Sequence, residues 1–248
     1  MAESGPGKIY LFDDFCGPEY PIAHTGAYAA DTFTGQFIGP FRVLGDLAET
    51  DTGVVSLGIV SGAVRISGND EDGKGVALAT DLNFSPGLMG TLVVEARVQL
   101  ATLTTRNIFV GFCGTIADDV APPLTSATTT HTLTAADLCG IHMDSGLTAG
   151  TTYHAVFNGG TVSGETNSDN TITAKLPVAA EWDVLRVEID TNGTARFIIN
   201  GDVEATVVNA VSTTVIQGAL VGCWGTTATA ADMDVDYMMV KANRDWTR

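Results

Sequence analysis

The chain has 248 residues, 45% of them apolar and only 17% charged, with 28 glycines and a formal net charge of −17. Its length suits one β-sandwich domain with an ample core, and its composition excludes a disordered chain. The charge opposes counterion release along a phosphate backbone, which argues against nucleic acid and anionic lipid surfaces and leaves a cation or a basic surface as the easier partner.

Residues 1–7, "MAESGPG", read as a flexible arm, and "KIYLFDDF" opens the ordered region with a mixed apolar strand. The start has no apolar h-region, and no window approaches the roughly 20 apolar residues that span a bilayer. The expectation is a soluble chain made in the cytosol, with export by another route or release by lysis left open. From Thr52 the strands are closely spaced: "GVVSLGIV", "GAVRISG", the acidic turn "NDEDGKG" and "VALATDLNF". After "SPG", the segment "GTLVVEARVQL" alternates, with Val94, Ala96, Val98 and Leu100 facing one way and Glu95, Arg97 and Gln99 the other. Such alternation marks a half-buried antiparallel strand. "NIFVGFCGT" is uniformly apolar and predicts a central strand, whereas Asp118 to Asp137, Thr-rich with two prolines, reads as the longest loop.

"LCGIHMDS" resumes the sheet, and "TTYHAVFNGGTVSG" predicts a hairpin turning at Asn158-Gly159-Gly160. "VLRVEID" and "ARFIING" are joined through Thr191-Asn192-Gly193, and Asn200-Gly201 turns the chain into "DVEATVV". Asn-Gly between alternating strands is a strong hairpin signal, so three consecutive antiparallel strands follow. "TVIQGALVGCWG" and "DMDVDYMMVKANRDW" close the chain. Residues 8–242 form one predicted domain, followed by a tail over 243–248.

Three places carry a resemblance to the concanavalin A-like lectin and glucanase superfamily, an all-β, two-sheet antiparallel sandwich of jelly-roll topology. "LFDDFCG" resembles the opening of laminarinase-type glucanases, "GTLVVEARVQL" their Gly-x-x-Glu-Ala-Arg strand, and "MDVDYMMV" their closing strand. "EWDVLRVEIDTNGTARFIINGDVEATV" is similar to the hairpin of such sandwiches. The fold hosts lectins, hydrolases, lyases and structural modules. The run from "ARVQL" through "LTAADLCGIHMDS" to "ARFIINGD" resembles more narrowly a group of tailed-phage head-associated virion proteins. That likeness implies a non-enzymatic decoration or cement protein on the capsid exterior, made in host cytoplasm. Its partners would be the major capsid protein and neighbouring copies of itself, in a homo-oligomer such as a trimer. The alternative is a carbohydrate-binding module of the same fold on a virion or cell surface.

Glycan hydrolysis needs two carboxyl groups, about 5–5.5 Å apart for retention or about 6.5–9.5 Å for inversion. Glucanases of this fold supply them from one strand as Glu-x-Asp-x-x-Glu. Glu188 and Asp190 give the first two letters, but a turn stands where the third acid belongs, and "NIFVGFCGT" and "LCGIHMDS" lack the motif. No catalytic residue is assigned: Val187 and Ile189 should face the core, with Arg186, Glu188 and Asp190 on the wet face. Asp232, Asp234 and Asp236 alternate opposite Met233, Val235 and Tyr237. They suit either a Ca²⁺ site or a solvated strand face near basic neighbours. Asp70 and Asp72 in the acidic turn lack EF-hand spacing.

His24, His131, His142 and His154 sit on separate segments, although His142 and His154 could meet across adjacent strands as hydrogen-bonded sheet histidines. Cys16, Cys113, Cys139 and Cys223 show no C-x-x-C, which argues against zinc. Buried free thiols are expected, with two disulfides as the alternative. Trp182, Trp224, Trp246 and Tyr153 are the aromatics that could serve a lectin-type face, Trp224 being the one expected in the core. Lys241, Arg244 and Arg248 place three of the twelve basic residues beside Trp246 in the last eight positions, a candidate partner contact.

Overall fold

The structure, a computed structural model, describes residues 7–17, 37–45, 53–68, 72–117, 120–148, 150–162, 171–172, 175–227 and 229–245. In chain order its elements are β1 (Lys8–Asp13), β2 (Phe37–Ile38), β3 (Phe41–Gly45), β4 (Gly53–Ser56), β5 (Val64–Ser67), β6 (Gly75–Ala79), the helical turn α1 (Pro86–Met89), β7 (Leu92–Gln99), β8 (Arg106–Cys113), β9 (Leu124–Ala127), β10 (Thr130–Leu133), β11 (Leu138–Asp144), β12 (Tyr153–Asn158), β13 (Thr171–Ile172), β14 (Trp182–Ile189), β15 (Ala195–Ile199), β16 (Asp202–Val207), β17 (Gly218–Gly225) and β18 (Asp232–Asn243). Sheet I runs β16-β15-β14-β7-β18-β5-β4, with β1 also paired to β18; sheet II runs β13-β12-β11-β8-β17-β6-β3-β2. Both are antiparallel, as the alternating patterns predict. Among the described residues no helix is long and apolar enough to cross a membrane.

The core lies between the two sheets. Sheet I contributes Val94, Ala96, Val98, Val187, Ile189, Phe197, Met238 and Val240, and sheet II meets them with Ile108, Val110, Phe112, Ile141 and Val221, all at most 1% exposed. Each of these side chains larger than alanine contributes roughly 1.5–3 kcal/mol by leaving water. β8 is central in sheet II, between β11 and β17, and is buried on both faces, which accounts for its unbroken apolar run. The β14-β15-β16 meander forms as predicted. Asn200 (φ 53°) and Gly201 (φ 92°) both take positive φ, the two-residue turn whose twist suits a hairpin.

Three expectations are corrected. The predicted loop from Asp118 to Asp137 contains the hairpin β9–β10, with Leu124 and His131 turned inward; Thr-rich polar faces hid its alternation. β12 does not fold back at Asn158-Gly159-Gly160. It pairs with β13 at Tyr153↔Ile172, and the chain beyond Gly160 is drawn to another loop by the Thr161 N–H to Asn209 O bond of 3.1 Å. Finally, β18 carries a bulge: Val235 pairs with Val98 and Tyr237 with Arg97, leaving Asp236 as the extra residue. The inserted residue reverses the alternation, so Tyr237 joins the outer face and Met238 enters the core.

Candidate functional site

The glucanase resemblance points to the strands of "NIFVGFCGT" and "LCGIHMDS", β8 and β11, for its carboxylates. The outward side of β11, between β8 and β12, carries Leu138, Gly140, His142 and Asp144, all buried. Gly140 admits no side chain, because a Cβ would stand 2.3 Å from Cε2 of the Phe109 ring. The hairpin β9–β10 and its flanks cover this face. Trp224 donates through Nε1 to the Val120 carbonyl (2.8 Å), Asn107 donates to the Leu124 carbonyl (2.9 Å), and Leu124, Leu138, Val156, Leu220 and Trp224 pack as a second apolar cluster.

Beneath the hairpin three imidazoles meet. His142 opposes His154 in the β11–β12 register, as the sequence allows, and His131 of β10 lies edge-on to both, with ring centroids 5.5 and 5.2 Å away. A carbonyl only accepts, so the 2.9 Å contact of His142 Nδ1 with Ile108 O places the His142 proton on Nδ1. Nε2 then accepts from Ser126 Oγ (3.1 Å), which in turn accepts from His131 Nδ1 (2.9 Å). His131 Nε2 is left as a buried acceptor without a hydrogen-bond partner. Asp144 lies 3.9 Å from His142 Nε2 and accepts from the Gly146 N–H at 2.7 Å. Burial, then the neighbouring His154, pushes His131 down to about 4. Burial and the other two rings likewise lower His142, against the Ile108 bond that favours its protonated form. Burial raises the Asp144 carboxyl, with the Gly146 and Ser126 bonds opposing it. Sequence reading missed the convergence because His131 fell in the predicted loop; the alternating "THTL" was the available signal.

The outer face of sheet I is organised differently. Val187 and Ile189 are buried and Glu188 and Asp190 lie outward, but neither carboxylate is free: Arg186 and Arg196 bind Glu188, and Arg196 binds Asp190. Arg186 also reaches Glu95 at 3.2 Å, and Tyr237 donates to Glu95 at 2.8 Å. The three aspartates proposed for Ca²⁺ are similarly divided. Asp234 is held by Arg65 through two bonds of 2.7 and 3.0 Å, and Asp236, displaced by the bulge, by Arg97 at 2.7 Å. Asp232 stands two rungs away on the Ser67 pair. They therefore form the strand face near basic neighbours, and among the described residues no three His, Cys, Asp or Glu side chains are placed to hold a metal ion. Asp72 is described, but Asp70 and His24 lie outside the described residues.

The basic residues gather on this face: Lys8, Arg65, Arg97, Arg186, Arg196 and Lys241 are six of the chain's twelve, beside six of its twenty-nine acids, Glu95, Glu188, Asp190, Asp232, Asp234 and Asp236. The face is near neutral on a chain of net charge −17. It also bears a row of rings that sequence reading missed: Tyr10 stacks on Phe12 (centroids 6.1 Å), and Phe12 meets Tyr237 at a tilt of 34° (5.9 Å). Tyr10 and Phe12, two apart in β1, were its signal.

Of the tail candidates, Lys241 pairs with Tyr10 on the same face, and the Arg244 N–H donates to Gly7 O at 3.1 Å, extending the β1–β18 ladder beyond the predicted tail boundary. Trp246 and Arg248 lie outside the described residues. Trp224 and Tyr153 are buried, and Trp182 lies under the Arg97 guanidinium at 4.8 Å. All four cysteines are free. Cys113, Cys139 and Cys223 are buried as expected, whereas Cys16 is exposed on the irregular segment after β1.

The layered geometry has counterparts among solved structures. A protein of unknown function from Shewanella oneidensis MR-1 superposes with a TM-score of 0.56 at 14% identity, over 98% of this chain and 90% of that one. A β-glucanase from Bacillus licheniformis gives 0.52 at 12%, over 97% and 100%. The carbohydrate recognition domain of Emp47p gives 0.54 at 10%, over 91% and 96%. The fold is the concanavalin A-like jelly roll. Identities this low establish the fold and leave function to the site. No family model matches the chain, and no curated protein matches it by sequence.

Proposed function

We propose that this jelly roll is a non-enzymatic virion structural protein that decorates the exterior of a tailed-phage capsid and docks through the outer face of sheet I. The observation that carries the reading is the charge segregation: half of the basic residues occupy one near-neutral, ion-paired face. Elsewhere a strongly acidic surface repels DNA and stray copies; here the repulsion is locally cancelled, so a shell protein or a neighbouring copy can approach. The covered β11 face and the arginine-bound carboxylates support the non-enzymatic part, because hydrolysis needs an open cleft and a carboxyl pair free to exchange protons. The localisation, on the capsid exterior after synthesis in host cytoplasm, and the partners, the major capsid protein and copies of the chain itself, belong to the same reading.

Binding to purified capsids that lack the chain tests it. Arg97→Glu together with Arg186→Glu should lower occupancy, and unchanged occupancy would overturn the sheet I face. A tail truncation must remove only residues 245–248, since Asn243 and Arg244 belong to the β1–β18 ladder. The outward ring row Tyr10–Phe12–Tyr237, with Phe12 exposed between two half-buried tyrosines, favours one second reading, a carbohydrate-binding module, because aromatic faces stack on sugar rings. Glycan-panel binding abolished by Phe12→Ala, with no capsid binding, would select it.

A further inference from the structure

We infer that the β9–β10 hairpin is an acid-released cover, latched to sheet II by the Ser126–His131–His142 relay and opened when the imidazoles beneath it take up protons. This does not depend on the docking reading above. The hairpin forms its own two-stranded sheet and joins no ladder of sheet II. It is attached face-on instead, by the relay, by the Asn107 bond to Leu124 O, by the Thr128 N–H to Gly146 O bond (2.9 Å), by the Thr148 N–H to Thr128 O bond (2.6 Å) and by apolar contact of Leu124. Three rings, two of them within 5.5 Å of His131 and each at most 1% exposed, cannot all become cations without water.

The groups facing the rings can be taken element by element. β8 offers the neutral Asn107 and the Ile108 carbonyl; β9 offers Ser126; β11 offers Asp144; and the segment before β12 offers Thr152, 3.0 Å from His154 Nε2. Among the described residues Asp144, 3.9 Å from His142 Nε2, is the carboxylate beside the rings, with the Asp72 charge acting on it in turn, and it can compensate one imidazolium at most. A proton on His142 Nε2 also reverses its bond to Ser126: Oγ must then accept from both rings and turn its own proton away from His142, so the relay no longer carries a neutral donor-acceptor order. Opening the hairpin hydrates the rings and uncovers Phe109, Leu138, Val156, Leu220 and Trp224.

The sign follows from linkage. His131 has its folded midpoint below the unfolded value of 6.5, so its contribution to closure is whole above 6.5 and is lost as pH falls toward about 4. Asp144, raised by burial, has the opposite sign and favours closure only as pH approaches the carboxylate range, so opening belongs to the interval just below 6.5. For His131 alone the open-to-closed ratio rises roughly 20-fold between pH 7 and pH 5.

Hydrogen–deuterium exchange on the full chain at those two pH values, corrected for intrinsic exchange, reads this directly. Amides of 124–133 should gain roughly 20-fold or more at pH 5, while β8 and β17 stay protected, and His131→Leu should shrink the gain. Equal hairpin protection at both values, simultaneous loss of β8 and β17, or an undiminished gain in the variant would overturn the cover. If the variant does not fold, ring-proton NMR titration of the wild-type chain decides. Midpoints well below 6.5 that move with hairpin exchange support the proposal, and rings titrating near 6.5 under a closed hairpin refute it.

Discussion

The two sheets share one alternation and one core but treat their outer faces in opposite ways. Sheet I leaves its outward groups about one-third wet and satisfies them with one another: Arg65, Arg97, Arg186 and Arg196 are 32–38% exposed and each holds a carboxylate. Sheet II covers the corresponding side, lowers His131 and His142 below the usual imidazole value by burial and uses glycine where the Phe109 ring presses on the strand. Exposed pairs contribute little each and tolerate loss, because water and redundant partners replace them. A covered face depends on close packing and on the protonation of few groups, so it should be sensitive to both.

The widest separation should appear in thiol reactivity. Cys16 should react in the native state, although local desolvation and nearby aspartates raise its pKa. Burial pushes Cys113 up to about 11 and Cys223 up to about 12, and raises Cys139 as well. Native labelling with a disulfide reagent active at low pH should modify one of the four quickly and the others orders of magnitude more slowly, since they need opening of the structure. Cys113 lies under the cover whereas Cys139 and Cys223 lie between the sheets, so acid should accelerate Cys113 first. Equal acceleration of all three would erase the distinction between covered face and core.

Next in size, Trp224→Ala should cost about 3–5 kcal/mol in chemical denaturation, through its lost volume and the Val120 carbonyl left without a donor. A loss under about 1 kcal/mol would mean that the cover does not depend on Trp224.

How much of this could be read beforehand differs between the faces. The sheet I strands were legible because half-buried strands write their geometry as period-two alternation: Glu95, Arg97, Arg186 and Glu188 were all placed outward. Pairwise contacts were not, since the Arg65–Asp234 and Arg97–Asp236 pairs bring together residues 169 and 139 positions apart. The bulge at Asp236 was also invisible, because a strand with one inserted residue still looks alternating on either side. On sheet II the strands were legible but the cover was not: proline and threonine between Asp118 and Asp137 suppress the apolar signal, while packing against sheet II supplies the order that the segment lacks by itself. His142 and His154 could be matched by register; His131 required the tertiary fold.

Back on sheet I, Arg186→Ala should cost only about 1 kcal/mol, measured by urea denaturation. Both of its partners keep another donor, Glu95 from Tyr237 and Glu188 from Arg196. The loss should shrink further in high salt. A cost of several kcal/mol would show that this face is as tightly coupled as the covered one.

The smallest effect should come from Glu188→Gln. Its carboxylate accepts from Arg186 and Arg196, and the amide oxygen of glutamine can keep one of those bonds while Asp190 continues to hold Arg196. The expected change is within about 0.5 kcal/mol. The same variant separates the structural from the catalytic meaning of this residue. As a member of an ion-pair ladder Glu188 can be replaced almost silently, whereas as half of a carboxyl pair its loss would abolish turnover. Neither wild-type chain nor variant should release reducing sugar from a β-glucan. Hydrolysis present in the first and missing in the second would mean that the arginines tune a catalytic carboxylate instead of neutralising a surface, and would reverse the assignment of the two faces.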